Sequence, residues 1–587
     1  MLQRKIIFTS MKKLVVVILL FTMVFMTFGN KVNSSNKLVF SENARETLFE
    51  SELDDITEEP IVAVLNFSYI FESSFDRESL VEDSDFDLFL KNVRDEGKKQ
   101  HEKLNSDIIS SLLIDEYNVE ISTYAPFASI TFYEETPAEI LKLLNEISSS
   151  LEISVINVIN YSEEKPKIDT NFSRLGFDSY NTYSDYNGYD GTGVTIGILE
   201  AQEDGGGGIV DEDHANFVGT DLVIRNEWYY TEEESNHATL VASIAGGNSG
   251  IARGAKLLSV ELSGSPYSEV DWMLDNDVNV VNMSFGSNHD GYYSLPYDAY
   301  YDYIARNYFV TFVAAAGNTG AELLSPGTAY NVITVGSTND FDTISVFSSI
   351  DESFDIHKPN LVAPGSSIDV NGVYPSPPSG TSLAAPHVTG IIALMMERRS
   401  ILKTHPELVN AILTANADSV DYRPYYNTYS YGGCTTTGCK GYEDSFGAGE
   451  VRADVSIDNI YRTSYFKIDD NSHYRDNVRT LLVYLNVGDE LTVSLFWMRN
   501  ILVSQYVGYV PEPLLDLDLK LYNPNGYLVY SSNSTPYNNE LITYYATQSG
   551  YYSIKVYQYG EFDEGNWLIP SDIDVYGAVA YKISVGS

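Results

Sequence analysis

The chain has 587 residues, 44% of them hydrophobic, with 82 acidic and 36 basic side chains and a formal charge of -46. At roughly 100–200 residues per domain, this length holds three or four domains with a sizeable core. The acidic excess repels nucleic acid and anionic lipid and so argues against both as partners. The acids are spread along the chain rather than gathered in one block, and they read as a solvated surface.

At the N-terminus, Lys12 and Lys13 precede the apolar run Leu14 to Phe28, with small residues Thr27 and Gly29 at its end. Residues 1–30 have the form of a secretory signal peptide. The run falls short of the about 20 residues of a relaxed membrane span, an uncleaved anchor being the alternative. No later stretch is long and apolar enough to span a membrane. The mature chain is therefore expected to be secreted, outside the cell or at its surface, with no membrane partner after signal removal. Residues 31–60 are polar and acidic, as a linker is.

Residues 61–160 alternate strand and helix patterns. Ile61 to Phe67 is a strand candidate and Asp85 to Asn118 reads mostly as a long helix. "ISTYAPFASITFYEE" is strand-like. Thr136-Pro137-Ala138-Glu139 has the form of a capping box with Pro at the first helical position, and "EILKLLNEI" follows at helical spacing. "LEISVINVI" returns to strand. The polar stretch "NYSEEKPKIDTNFSR" after it reads as a linker.

From residue 176 to 460 short apolar runs ending in Gly-rich or polar turns alternate with helical segments: "VTIGIL", "HATLVASIAGG", "KLLSVEL", "VNVVNMSFG", "YFVTFVAAAGN", "NVITVGS". This alternation predicts a parallel α/β sheet with helices on both faces. From 465 to 587 the helical pattern gives way to Tyr- and Val-rich segments with "NPNG" and "QSG" turns, which predict an antiparallel β-sandwich. Cys434 and Cys439 are the only cysteines. In an exported chain they can pair, free thiols being the alternative.

Three stretches carry chemistry. In "SGTSLAAPHVTG" (379–390), Ser382 sits at the mouth of a helix whose free N–H groups can hold an oxyanion. A serine hydroxyl is a weak nucleophile alone and needs a base within hydrogen-bond reach. "NHATLVASIAGG" (236–247) supplies His237, again at a helix start. "FVAAAGNTG" (312–320) places Asn318 in a strand-to-loop turn. Together these stretches resemble the nucleophile, histidine and oxyanion motifs of the subtilisin-like serine proteases. The order of "VNVVNMSFG" (278–286), "SPGTAYNVITVGST" (325–338), "KPNLVAPGSSI" (358–368) and "FGAGEVRADVSI" (446–457) resembles that family too.

The resemblance implies a subtilisin-like fold and a serine endopeptidase acting on protein or peptide substrates by a Ser/His/acid triad. Ser382 is then the nucleophile, His237 the base and Asn318 the side-chain oxyanion donor. Ser284, Phe285, Gly286, Ala314, Ala315, Ala316 and Gly317 line the substrate cleft, and His387 is structural. Two positions depart from the family pattern. Ala238 stands where Gly is usual, and the acid expected at the end of the first strand is Glu200 rather than Asp. The rivals are Asp204 in the following loop and no working acid at all. Sedolisins also use Glu, but His237 and Asn318 speak against them. The 61–160 module resembles an inhibitory propeptide, a partner made in the same chain, and residues 465–587 resemble the sandwich appended to secreted bacterial proteases. The chemistry needs no cofactor. Structural calcium stays open, because Asp516 and Asp518 share one strand face but two acids do not define a site. The alternative from another class is an inactive binding or surface protein that keeps the fold.

Overall fold

The computed structural model describes residues 48, 61–67, 73–110 apart from 83, 117–147 apart from 134, and 153–160. It also describes 188–585, apart from 202–206, 226–233, 263–264, 288–295, 340–342, 351–356, 369, 371–372, 374–376, 419, 421–441, 469–474, 500–514, 534–536 and 562–574. The signal segment, the 31–60 linker apart from Leu48, the second linker apart from Asn160, Asp204, Cys434 and Cys439 therefore lie outside the described residues. The chain divides into two compact units. The described residues of the first fall within 1–71 and 100–161, and those of the second within 72–99, 188–499 and 515–585.

The first unit is built on a four-stranded antiparallel sheet of order β2-β3-β1-β4, from β1 (Ile61–Phe67), β2 (Asn118–Ile121), β3 (Phe127–Phe132) and β4 (Ile153–Asn160). Helix α1 (Phe86–Ser110) takes up most of the stretch read as helical, with its residues 86–99 in the second unit and 100–110 in the first. Helix α2 (Pro137–Ile147) starts with the expected capping box: the Thr136 N–H donates to Glu139 Oε2 at 2.9 Å, and the Glu139 N–H donates back to Thr136 Oγ1 at 3.4 Å. Its apolar stripe, Ile140, Leu141, Leu144 and Ile147, packs in one cluster with Ile61, Ala63, Leu65 and Phe67. The alternate residues of β1 thus face the helix, as a strand period of two requires.

The second unit holds a seven-stranded parallel sheet of order β11-β10-β9-β8-β5-β7-β6. Its strands are β5 (Thr195–Ala201), β6 (Leu222–Ile224), β7 (Lys256–Leu262), β8 (Val280–Met283), β9 (Thr311–Ala315), β10 (Ile333–Thr338) and β11 (Leu361–Pro364). Its main helices are α3 (Asn236–Gly246), α4 (Tyr267–Asp275), α5 (Pro296–Tyr308), α6 (Thr381–Arg398) and α7 (Pro406–Asn416), with a short α8 (Ala453–Asp458). Successive β5 side chains separate the two faces. Ile196 and Ile198 pack in the cluster that contains α3 and α6, whereas a side chain at Gly197 would run into Met273 of α4. Tyr300 of α5 packs on Tyr267 of α4, so α5 shares that second face.

The connections β6–α3–β7 and β7–α4–β8 both step across the sheet in the same direction, yet α3 and α4 lie on opposite faces. The two crossovers therefore have opposite hands, against the strong general preference for one. As a result, the helix with His237 in its first turn lies on the same face as the helix with Ser382 in its first turn.

The C-terminal region is a sandwich of two antiparallel sheets, ordered β12-β19-β14-β17 and β13-β18-β15-β16. The strands are β12 (Thr463–Ile468), β13 (Arg475–Leu485), β14 (Glu490–Trp497), β15 (Leu515–Tyr522), β16 (Leu528–Ser532), β17 (Asn539–Tyr545), β18 (Gly550–Glu561) and β19 (Val575–Ser584). It has a core of its own around Trp497, Leu519 and Tyr552. It is nonetheless fused to the α/β core, because Phe496, Ala578 and Ala580 join the cluster formed by α6 and α7.

Candidate active site

Glu200 is the sixth residue of β5, at the carboxyl end of a strand flanked on both sides by parallel neighbours, and it is only 1% exposed. A buried carboxylate is costly unless its oxygens are occupied. Both are. Oε2 lies 2.9 Å from His237 Nδ1, and Oε1 accepts the Ser284 backbone N–H at 3.3 Å. The strand can end on an acid because the start of α3 and the end of β8 each aim a donor at it.

His237 is the second residue of α3. Ser235 caps the helix, its Oγ accepting the Ala238 N–H at 3.1 Å, which fixes where the first turn begins. Ala238, the departure from Gly, is fully buried in the apolar cluster, so its methyl group is accommodated within the core.

Ser382 is the second residue of α6, and this helix starts differently. Its N-cap is Gly380, which offers no side-chain acceptor, so the first-turn N–H groups are left to other partners. The Thr381 N–H goes to Asn318 Oδ1 at 2.9 Å, and the Thr381 hydroxyl to the same oxygen at 3.1 Å. With its oxygen committed in this way, Asn318 has only its NH₂ group to offer. The Gly317 N–H donates to Thr381 Oγ1 at 3.1 Å, tying the end of β9 to the same turn. The Ser382 Oγ is buried and makes no hydrogen bond among the described residues.

Pro386 lies four residues after Ser382, inside the helix. A proline has no N–H, so the carbonyl of Ser382 loses its helical donor. The Ser284 hydroxyl replaces it, donating to Ser382 O at 2.6 Å. Behind Ser284, Asn282 Nδ2 donates to Ser284 Oγ at 2.8 Å, and Thr389 of α6 donates to Asn282 Oδ1 at 3.0 Å. All four residues are buried. Ser284 thus serves both ends of the site, its N–H holding Glu200 and its hydroxyl holding the backbone of Ser382. Burial lowers the His387 pKa to about 4 and its Nδ1 meets Leu383 O at 2.7 Å, so it is a neutral ring inside α6.

The structure thus links Glu200, His237, Ser284, Ser382, Gly317 and Asn318 by direct bonds or through Thr381. Ala314 and Ala315 end β9 beside the end of β8, and Ala316, Phe285 and Gly286 continue the two strands. The sequence reading missed Asn282, Thr389 and the role of Pro386. A signal existed: Asn282 interrupts an otherwise apolar strand, where an amide is costly without a fixed partner. In the sandwich, Asp516 and Asp518 share a face of β15 with Lys520, whose Nζ lies 2.8 Å from Asp518; burial lifts the Asp516 pKa to about 6.

The model of the subtilase family matches residues 93–449, and the chain is similar to named proteases. Over 407 residues it is 27% identical to an alkaline serine exoprotease A of Vibrio alginolyticus, covering 64% of this chain and 67% of that one. Over 316 residues it is 28% identical to the M-protease of Shouchella clausii, covering 50% and 76%. Among solved structures, fervidolysin from Fervidobacterium pennivorans aligns over 95% of this chain and 79% of its own, at 15% identity and a TM-score of 0.47. The chain belongs to the subtilase family and is a subtilisin-like serine endopeptidase.

Proposed function

We propose that Ser382, His237 and Glu200 form the catalytic triad of an exported protease made as a zymogen, which hydrolyses peptide bonds through an acyl-enzyme. His237 Nε2 takes the hydroxyl proton as Ser382 Oγ attacks the scissile carbonyl carbon. The C–N bond breaks as the imidazolium returns that proton to the leaving amine. Water, deprotonated in turn by His237, attacks the ester, and Ser382 regains its proton as the acid product leaves. Glu200 accepts the Nδ1–H, fixes the tautomer and stabilises the imidazolium without itself taking a proton. The Asn318 NH₂ and the Ser382 N–H face the oxyanion; one such donor is typically worth about 100–1,000-fold in rate. The chemistry uses no metal.

The observation that carries this reading is the 2.9 Å contact between the buried Glu200 carboxylate and His237 Nδ1, with Glu200 joined through Ser284 to the backbone of Ser382. The Lys12-Lys13 and Leu14–Phe28 pattern supports export, and the sheet-and-helix module within 61–160 supports a propeptide. A fluorophosphonate probe tests the nucleophile. The protein should label once per chain, and Ser382→Ala should neither label nor turn over a peptide while keeping the same circular dichroism. Equal labelling of Ser382→Ala would overturn the assignment.

A further inference from the structure

Resting on the catalytic reading above, we propose that Leu324 closes the slot that receives the substrate side chain on the acyl side of the scissile bond, so that the enzyme prefers Gly, Ala or Ser there.

The slot is defined by what holds Ser382. The segment after β8 reaches the nucleophile turn through Ser284 Oγ on Ser382 O, and the segment after β9 reaches it through Gly317 N–H on Thr381 Oγ1. A substrate whose carbonyl carbon meets Ser382 Oγ, with its oxygen toward Asn318, lies between these two segments. The side chain of its acyl residue enters the space between them. Both walls carry a glycine there, Gly286 and Gly317, and neither wall contributes a side chain of its own.

Leu324 occupies that space, with Ser349 beside it on one side only, its Oγ 2.7 Å from where a Cβ on Gly317 would stand. A Cβ on Gly286 would lie 2.7 Å from Leu324 Cβ and 2.9 Å from its Cδ1. A Cβ on Gly317 would lie 2.7 Å from Leu324 Cγ and 2.9 Å from its Cδ1. The same isobutyl group therefore presses on both glycines and spans the gap. Leu324 is also fixed in place. Its N–H donates to Ala316 O at 3.0 Å, and the next residue, Ser325, exchanges two backbone bonds with Ser287 at 2.9 and 3.1 Å. Leu324 is thus tied to one wall directly and to the other through its neighbour, and it is 4% exposed. These backbone bonds hold the Cα of Leu324 between the walls, so only its side-chain rotamer can yield. A methyl or hydroxymethyl side chain fits above it, whereas a benzyl group must displace it.

The test is a series of peptides differing only at the acyl-side residue (Gly, Ala, Leu, Phe), compared by kcat/KM on the wild-type enzyme and on Leu324→Ala and Leu324→Val. A hydrophobic pocket discriminates by about 10–200-fold for a single methylene. The wild type should therefore favour Ala over Phe by at least about 100-fold. Leu324→Ala should shift the Phe/Ala ratio toward Phe by at least about 10-fold, and Leu324→Val should shift it less and in the same direction. Fluorophosphonate labelling is run on every variant. A wild-type preference for Phe, or a ratio that moves in neither variant while both still label, overturns the proposal. Failure of the wild type to label would instead count against the catalytic reading. Should Leu324→Ala prove unfolded, the smaller change in Leu324→Val decides.

Discussion

Glu200 shows how one side chain can be over-determined by its surroundings. Its two oxygens have separate tasks, one holding His237 Nδ1 and the other the Ser284 N–H, and neither can move without uncovering a buried partner. Glu200→Gln keeps the shape but can present an N–H to Nδ1 and select the wrong tautomer. In the Ser-His-Asp template the corresponding amide change costs about 10⁴-fold in kcat. A loss of at least about 10³-fold is expected here, with little change in KM. Glu200→Asp keeps the charge but withdraws it by one C–C bond, about 1.5 Å, so it cannot satisfy both donors and should lie between the two. Peptide turnover of the three proteins at one pH checks the order; equal activity in Glu200→Gln and the wild type would remove Glu200 from the site. The contact with His237 was expected only through the resemblance, whose order of acid, His and Ser puts the acid at the end of the first strand. Ala238 was legible only as a departure. That its methyl fits the core depends on the α3 packing, which local sequence does not carry.

At the scale of one element, α6 has a defect at the point where it matters. Pro386 removes the donor that would close the turn on Ser382 O, and Ser284, the residue after β8, supplies one instead. The helix start is thereby bonded across to the sheet rather than only to itself. Ser284→Ala should leave that buried carbonyl unsatisfied, at a cost of about 1–3 kcal/mol. Pro386→Ala returns an N–H to the same carbonyl, so the double variant should recover at least about 1 kcal/mol relative to Ser284→Ala alone. Urea unfolding of the four proteins, each also carrying Ser382→Ala to prevent self-digestion, gives the coupling directly. Strict additivity of the two changes would mean that the two donors do not substitute for each other. The motif "SLAAPH" displays the proline openly, and helix spacing alone says which carbonyl it orphans. The replacement donor was not legible. It comes from just after a strand about 100 residues upstream, and only the sheet order brings β8 beside α6.

At the scale of the whole molecule, periodicity and turn residues were enough for the parallel sheet, the sandwich and the strand–helix alternation of residues 61–160. They could not show which residues share a core. The described residues of 72–99 fall inside the 61–160 stretch that resembles a propeptide, yet they belong to the same compact unit as the α/β sheet and the sandwich. Arg77 is the centre of their packing. Its side chain is 1% exposed; it donates to Glu407 Oε1 at 2.8 Å and to Thr404 O at 2.7 Å, and its guanidinium lies 3.8 Å from the ring centre of Tyr576. Around it, Glu82 pairs with Arg399 and Asp87 with Lys403, both at 2.7 Å, and Arg94 donates to Val278 O at 2.6 Å. The exposed carboxylates of Glu82 and Asp87 contribute little. The Arg77–Glu407 pair differs, because removing one partner strands a charge whose desolvation is not offset. Burial is also the main reason that the Glu407 pKa is raised. Breaking such a pair typically costs about 3–5 kcal/mol, roughly 10²–10³-fold or more in an association constant. Cleavage of the linker after residue 160 should therefore not release the segment before it. The cut chain should elute from a sizing column as one species containing both fragments, identified by mass spectrometry. Arg77→Ala should let the N-terminal fragment elute separately after the same cut, whereas Asp87→Ala, on the solvated rim, should not. Free elution of the wild-type fragment would show that the buried pair does not hold it; co-elution of the Arg77→Ala fragment would move the hold to other residues of 72–99.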